Sequence, residues 1–574
     1  MRYAPLLGRP VLLALTALSA CAATNAPLSS SGGRAGAYGN FLIGQYAASR
    51  FDFPTSADAM RAAMADDPEA RPILAGRAFL FELLAGNTGA ALDLAAQVPK
   101  ESLAQMLLAA AAARAGHWQD ALKRYQALPV QDGLTHIMKP LLVAWAEQGA
   151  GNTRAALATL QSQGDPGARA IFALHTALIA DQARMMTVAA QNYGIVQGSL
   201  NVTNMRLAQI LASWDARSGD QAGADQILNA LSPDLALDMT IPAVKATLKT
   251  PPVRNAVQGL AEVYVNLAAA LDDELTNGPQ ASRKVLAVQQ TVLTLLQLGL
   301  QLEPNLSAAR LMLSVAVDQG NNAALALRPL ADIAASDPLY PLAVLRRASL
   351  LATMGQGAEA RSLLQSLATR YPHSAEPLLA QADILRSEKQ WLPAAALYTK
   401  ALALLPANSL SAWLVHYDRA MCYDQDGNWP NAEADLKQAL KLSPGQPYVL
   451  NYLGYSWATK GKHLAQARAM IEQALKVVPN DGAVVDSLGY VLMRQDQPRA
   501  AVRALLRAVQ LEPEDPTINA HLGDAYAAAG DHLQALYQWR RALQLGPDAS
   551  LEHELLAKLD MKPQPGSAAA PASN

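Results

Sequence analysis

Residues able to do chemistry lie close together at several points of this 574-residue chain. Gly454-Tyr455-Ser456-Trp457-Ala458 departs from the nucleophile-elbow pattern, Gly-x-Ser-x-Gly, only at its last position. That pattern works when a strand, a sharp turn and a helix thrust the serine out of the backbone. The flanking apolar spacing here is helical, so Ser456 is expected inside a helix. Asp486, Ser487 and Tyr490 bring an acid, a hydroxyl and a phenol together, with Gly489 between them. Asp424 and Asp426 pair two carboxylates, which fits a solvated helix end or loop. His416 and His521 fall in predicted helices, in packing or groove positions rather than in a metal-ligand spacing. No HExxH, CxxC or Gly-Lys-Ser/Thr phosphate loop occurs. The sequence therefore shows no active site, no metal site and no cofactor site, and the expectation is a protein that is not an enzyme.

The elements that carry these residues follow from composition. Half the chain is hydrophobic, at 51%, but aromatics make up 5% and charged residues 16%. Ala and Leu dominate, a mix that suits helices with small contacts between them. The length is several times one globular core, so the chain is multi-domain or repetitive. A formal charge of −2 with no long basic block excludes nucleic acid as an expected partner.

One pattern recurs. Asp486-Ser487-Leu488-Gly489-Tyr490 comes 35 residues after Asn451-Tyr452-Leu453-Gly454-Tyr455 and 34 before Ala520-His521-Leu522-Gly523-Asp524. Leu488, Gly489 and Leu492 share one face of a first helix. Ala501, Leu505 and Ala508, at i, i+4 and i+7, share one face of a second. Pro513 then ends the unit. Gly inside a helix costs about 1 kcal/mol against Ala, so its recurrence points to close helix packing. The pattern Leu-Gly, aromatic, Ala, aromatic, Pro resembles the tetratricopeptide repeat. Tyr526, Ala535, Trp539, Ala542 and Pro547 mark the last unit. Earlier units carry Ala432, Leu436 and Ala439; Ala394, Tyr398 and Ala401; Ala360 and Leu364; and Ser314, Ala326 and Leu330.

Upstream the signal weakens but helix pairs continue. The expected fold is all-α, a TPR superhelix (α-solenoid) of about thirteen or fourteen helical hairpins, each touching only its neighbours. The expected divisions are a signal peptide over 1–20, a lipidated cysteine and flexible tether over 21–37, and a divergent helical lobe over 38–231. A linker follows at 232–252, then the repeat array over 253–548, a capping helix over 549–560 and a disordered tail over 561–574.

The start of the chain reads as an export signal. Arg2 and Arg9 precede the apolar run Val11 to Leu18, too short to cross a bilayer. Leu18-Ser19-Ala20-Cys21 resembles a bacterial lipobox, which implies lipidation of Cys21; an ordinary cleavage site is the other reading. Ala22 stands where an inner-membrane retention signal has Asp, so the expected address is the outer membrane, facing the periplasm. Without Arg2 and Arg9 the chain holds 44 basic and 48 acidic residues. Only Cys422 remains besides Cys21, so no internal disulfide is expected and Cys422 reads as a small buried apolar residue.

Residues 255–546 resemble a narrower group of bacterial envelope TPR proteins, through "GLAEVYVNLAAAL", "HYDRAMCYDQDGNWPNAEADLKQAL" and "LNYLGYSWATKGKHLAQARAMIEQAL". That group includes outer-membrane lipoproteins, one of which is the adaptor of a periplasmic carboxyl-terminal processing protease. The resemblance implies protein or peptide partners, among them such a protease and its substrates, with membrane contact through the lipid alone. A structural subunit or assembly factor of a secretion, exopolysaccharide-export or outer-membrane machine is the alternative. The first 250 residues carry no motif diagnostic of that group. The candidate groove comes from first-helix positions: Asp383, Arg386, Tyr417, Asp418, Asn451, Tyr452, Tyr455, Asp486, Tyr490, Arg494, His521 and Asp524. Tyr, Asn, Asp and Arg suit an extended peptide. The same tyrosines could instead seal one repeat against the next. The lysine and asparagine clamp that grips a terminal carboxylate is missing.

Overall fold

The computed structural model describes residues 33–559, except 131–133, 162, 164–166, 200–204, 232–237, 278–281, 320–321, 407–408 and 410. The signal peptide, Cys21, most of the tether, part of the 232–252 segment and the tail lie outside the described residues. The first helix, Gly33–Ser49, begins five residues before the expected onset at Tyr38. Among the described residues there are thirty α-helices and no strand. Twenty-eight of them pair into fourteen hairpins; Ile241–Thr247 and Ala549–Lys558 stand outside the pairs.

Two compact units divide the chain. One runs to Leu160 and includes Leu260–Leu302. Its helix Ser282–Leu302 packs on Arg71–Leu84 and Ser102–Arg114. Arg114 Nη1 donates to the Gln301 carbonyl at 2.9 Å, and Gln297 Nε2 to the Leu84 carbonyl at 3.2 Å. Residues expected to open the repeat array thus belong with the N-terminal hairpins.

The other unit holds 161–259 and 303 onward. The described part of the segment read as a linker, 238–252, is built into it. Ile241, Val244 and Leu248 share a core with Ala208, Ala212, Ala224 and Leu228. Met239 packs with Val344 and Leu367 of a repeat further along. Ser213 Oγ donates to the Leu248 carbonyl at 2.7 Å. The apolar residues at 239–248 have a face to bury, and burying it overrides the Pro-rich look of the stretch.

From Ser307 to Gln544 this unit carries seven consecutive hairpins, closed by Ala549–Lys558, whose Leu555 is fully buried against Ala520 and Ala542. The small-residue stripe of each second helix is the core: Ala432, Leu436, Ala439, Ala467, Ile471, Ala474, Ala501, Leu505 and Ala508 are all fully buried. The first-helix glycines mark where the two helices of a hairpin close on each other, against backbone at Gly454 and against side chains at Gly489 and Gly523. A Cβ on Gly454 would lie 2.9 Å from the Ala467 carbonyl oxygen, one on Gly489 would be 2.4 Å from Leu505 Cγ, and one on Gly523 would be 2.4 Å from Trp539 Cδ1.

The hairpin turns repeat one device. Two residues past the end of the last six first helices, from Tyr340–Thr353 onward, the chain turns left-handed, at Gly355, Lys389, Gly427, Gly461, Asp496 and Gly530. The next amide bonds back to the carbonyl five residues earlier, as in Asn428 to Tyr423 and Gln356 to Leu351, both at 2.8 Å. This is the Schellman closure, which satisfies carbonyls that the helix end would orphan. In the hairpin after Thr459 one further residue, His463 at φ 51°, is accommodated before the second helix starts at Leu464. Aspartates at the next starts, Asp481, Asp515, Asp531 and Asp548, accept from backbone N–H groups of the first turn. Such caps contribute about 1 kcal/mol each. The hairpin at 323–330 is shortened: its second helix gives way to a 3₁₀ turn at Arg328–Leu330, where Pro329 has no N–H to donate.

Candidate functional site

Neighbouring first helices of the array touch one another directly: Pro447–Thr459 meets Gly482–Arg494, which meets Pro516–Ala528. They form the inner layer, and all twelve sequence-derived groove residues lie on first helices.

One stretch brings aromatic rings into file. The Tyr455 and Tyr490 ring centroids are 5.0 Å apart, and those of Tyr490 and His521 are 5.1 Å apart. Each ring comes from a different repeat, so the file runs across the helices. Tyr455 and Tyr490 are part-buried, and neither hydroxyl has a hydrogen-bond partner among the described residues. His521 Nδ1 lies 2.9 Å from both oxygens of the buried Asp486. Burial lowers the imidazole pKa, but the Asp486 charge and hydrogen bond, helped by Asp524, outweigh it and hold it above its usual value. Asp524 accepts from Trp539 Nε1 at 2.9 Å and Lys558 Nζ at 2.6 Å, which ties the capping helix to the last repeat.

A second cluster lies two repeats earlier. Asp383 accepts a hydrogen bond from the Tyr398 hydroxyl, and Arg386 Nε donates to the same hydroxyl at 3.1 Å. Arg386 Nη2 sits 3.6 Å from Asp383 and 3.8 Å from Asp418. Burial raises the Asp383 pKa against the pull of Tyr398 and Arg386. Burial also pushes Asp418 up to about 7; Arg386 opposes this and the Asp383 charge adds to it. Cys422 is fully buried nearby, its thiol pushed up to about 12 chiefly by burial. It behaves as the packing residue expected from the sequence.

The remaining candidates divide. Tyr417 and Tyr452 meet edge to face at 5.8 Å, and the Tyr452 hydroxyl donates to Asp424 at 3.0 Å. That pair seals one repeat on the next, the second role the sequence left open. The buried Asn451 Oδ1 has no hydrogen-bond partner among the described residues. Arg494 is exposed at the last position of its helix. Asp486 is 6% exposed, so it acts on the surface only through His521.

Asp424 lies in the last turn of the helix Ala412–Gln425, the helix end expected, but it is part-buried rather than solvated and also takes Lys460 Nζ at 3.3 Å. His416 is a packing residue: its Nδ1 is 2.8 Å from Asp435, which Arg419 grips with Nε at 2.7 Å and Nη2 at 2.6 Å. Ser456 is buried within the helix Pro447–Thr459, without the strand a nucleophile elbow requires. Sequence reasoning missed Tyr398 and Lys558 as site members. In the sequence Tyr398 reads only as a second-helix packing mark. Lys558 lies 34 residues after Asp524, one repeat length, and that spacing was its available signal.

Among the described residues no His, Cys, Asp and Glu cluster could hold a metal ion, and no helix is long and apolar enough to cross a membrane.

Tetratricopeptide repeat models match residues 342–374, 379–447, 417–483 and 487–550. The helix pairs found there, with their buried Ala stripes and Leu-Gly contacts, are the same units. This stretch is an array of tetratricopeptide repeats. No curated protein matches the sequence. Solved structures similar to the chain include the APC/C hetero-tetramer Cut9–Hcn1, 16% identical, covering 91% of this chain and 96% of that one at a TM-score of 0.37. A tetratricopeptide repeat protein from Parabacteroides merdae is 14% identical over 44% of this chain and 97% of its own, with a TM-score of 0.36. YrrB, described as a TPR protein with an unusual peptide-binding site, is 20% identical over 34% of this chain and 97% of its own, at 0.28.

Proposed function

We propose that this protein is a non-enzymatic scaffold that captures a protein partner along the inner face of its repeat array, from an outer-membrane lipid anchor at Cys21 facing the periplasm. The observation that carries the capture is the file Tyr455–Tyr490–His521. Three rings, neighbours at 5.0 and 5.1 Å, carry two hydroxyls without a partner among the described residues and an imidazole. Successive residues of an extended peptide can bury apolar area on such rings and bond to their tips, at little entropic cost to the protein. The lipobox-like Leu18-Ser19-Ala20-Cys21 supports the anchor. The resemblance of residues 255–546 to envelope repeat lipoproteins supports the finer reading, an adaptor that brings substrates to an envelope protease.

The capture test is the double variant Tyr455→Ala with Tyr490→Ala. It should abolish recovery of the partner crosslinked in intact cells while the helical circular dichroism signal is kept. Full recovery from a folded double variant contradicts the groove. Co-purification in mild detergent tests the adaptor role: a protease supports it, whereas pore or assembly subunits point to an assembly factor. Cys21→Ser should release the protein from the membrane fraction, and continued membrane association would refute the anchor.

A further inference from the structure

The Asp383–Arg386–Asp418 cluster is unbalanced in a way that the packing of the repeats does not explain. Two carboxylates share one guanidinium. Asp383 is served by Tyr398 and Arg386. Asp418, whose side chain is 16% exposed, accepts no hydrogen bond from a described residue; its nearest cation is Arg386 Nη2 at 3.8 Å. Cations of the same and neighbouring repeats are committed elsewhere: Arg419 grips Asp435, Lys460 pairs with Asp424, and Arg346 pairs with Asp318 at 2.6 Å. Buried carboxylates in folded proteins are ordinarily paired and hydrogen-bonded. Asp418, part-buried and 3.8 Å from its one cation, leaves room for one positive charge from outside.

We infer that this cluster is a receptor for a basic side chain, arginine or lysine, of the partner polypeptide, seated between Asp418 and Asp383. The inference rests on the capture reading above and names the partner's chemistry. Asp383 and Asp418 come from successive first helices, on the layer that carries the tyrosine file further along. An ammonium or guanidinium there gives Asp418 the charge-assisted hydrogen bonds it lacks and brings the cluster to neutrality. Arg386 stays in place, held by the Tyr398 hydroxyl. An acidic side chain would meet two carboxylates before one guanidinium, so the site discriminates by charge sign. The charged groups acting on Asp418 are Arg386, which lowers its pKa, and Asp383, which raises it. A proton and a basic side chain therefore compete for the same oxygens.

The test uses the purified protein and a short blocked host peptide of Gly, Ser and Tyr, its central residue varied as Arg, Lys, norleucine or Glu. Binding is read by fluorescence anisotropy at pH 8. The Arg or Lys peptide should bind more than about tenfold tighter than the norleucine peptide, the scale of one charge-assisted hydrogen bond. Asp418→Asn, which keeps the side-chain shape, should reduce that preference to under about threefold, and Asp383→Asn should weaken it. Equal binding of all four peptides overturns this inference while leaving peptide capture standing. Tightest binding of the Glu peptide overturns it too, since Arg386 would then be the anchor. If no peptide binds, both this inference and the capture reading at this stretch fail.

Discussion

Replacing Gly454 with Ala tests whether its missing side chain is what lets two helices close. In an unobstructed helix interior, Gly→Ala gains about 1 kcal/mol of propensity. Gly194, within Met186–Ser199, is such a site: it is exposed, and a Cβ there meets nothing within 4 Å. At Gly454 the new Cβ would sit 2.9 Å from the Ala467 carbonyl oxygen and 3.0 Å from Ile471 Cγ1. The first obstacle is backbone, so no rotamer change removes it. The helices Pro447–Thr459 and Leu464–Val477 must separate. Overpacking of this kind costs about 1–3 kcal/mol. Propensity is common to both variants, so the difference between Gly454→Ala and Gly194→Ala isolates the packing cost and should itself be about 1–3 kcal/mol. A chain of repeats need not unfold as one unit, so the measurement is local: hydrogen exchange of amides in 447–477 and 186–199, each against the unmodified protein. Exchange should quicken around Gly454 and slow around Gly194. Equal changes at the two sites would refute the close-contact explanation of the recurring Leu-Gly pair.

Further predictions follow from burial and charge. Ala508, fully buried between Val485 and Ile518, should not accommodate the larger side chain: Ala508→Leu is expected to cost about 1–3 kcal/mol, seen as a lower thermal midpoint. Cys422, buried with its thiol pushed up to about 12, should resist iodoacetamide in the folded protein and react on urea unfolding; rapid labelling of the native state would contradict the packing described. Asp418 has a folded pKa of about 7 against an ordinary 3.8. The folded state therefore holds the proton more tightly than the unfolded one. The stability this contributes is complete below about pH 4 and is lost as pH rises through about 7. At about 1.4 kcal/mol per pH unit, the span corresponds to about 4 kcal/mol. Asp418→Asn should remove the corresponding fall in stability between pH 5 and 8, measured by urea unfolding at each pH; an unchanged fall would place its source elsewhere.

What could be read from the sequence was whatever repeats at a fixed interval. Ala501, Leu505 and Ala508 announce a buried stripe by spacing alone, and the extra residue at His463 shows as a one-residue delay in the frame. Long-range partners carry no such period. Nothing local to Arg114 indicates that it bonds to the Gln301 carbonyl, 187 residues away. From the sequence alone the helix Ser282–Leu302 therefore reads as part of the array. In the candidate site, residue types on the first helices were legible because equivalent positions recur. Their pairing was not: Tyr398 reaches Asp383 from a second helix, and whether a tyrosine faces outward or seals a joint depends on ring orientation. Tyr452 bonded to Asp424 and Tyr455 left unbonded sit three residues apart on one helix and play different parts.

The most direct measurement is photocrosslinking in living cells, with a benzophenone amino acid placed at Tyr455 on the inner layer or at Tyr537, exposed on the second helix His532–Gln544. Defined adducts with one partner protein from position 455, absent from position 537, are the predicted result. Adducts from 537 with none from 455 would contradict the claim that the repeats recruit their partner through the inner face.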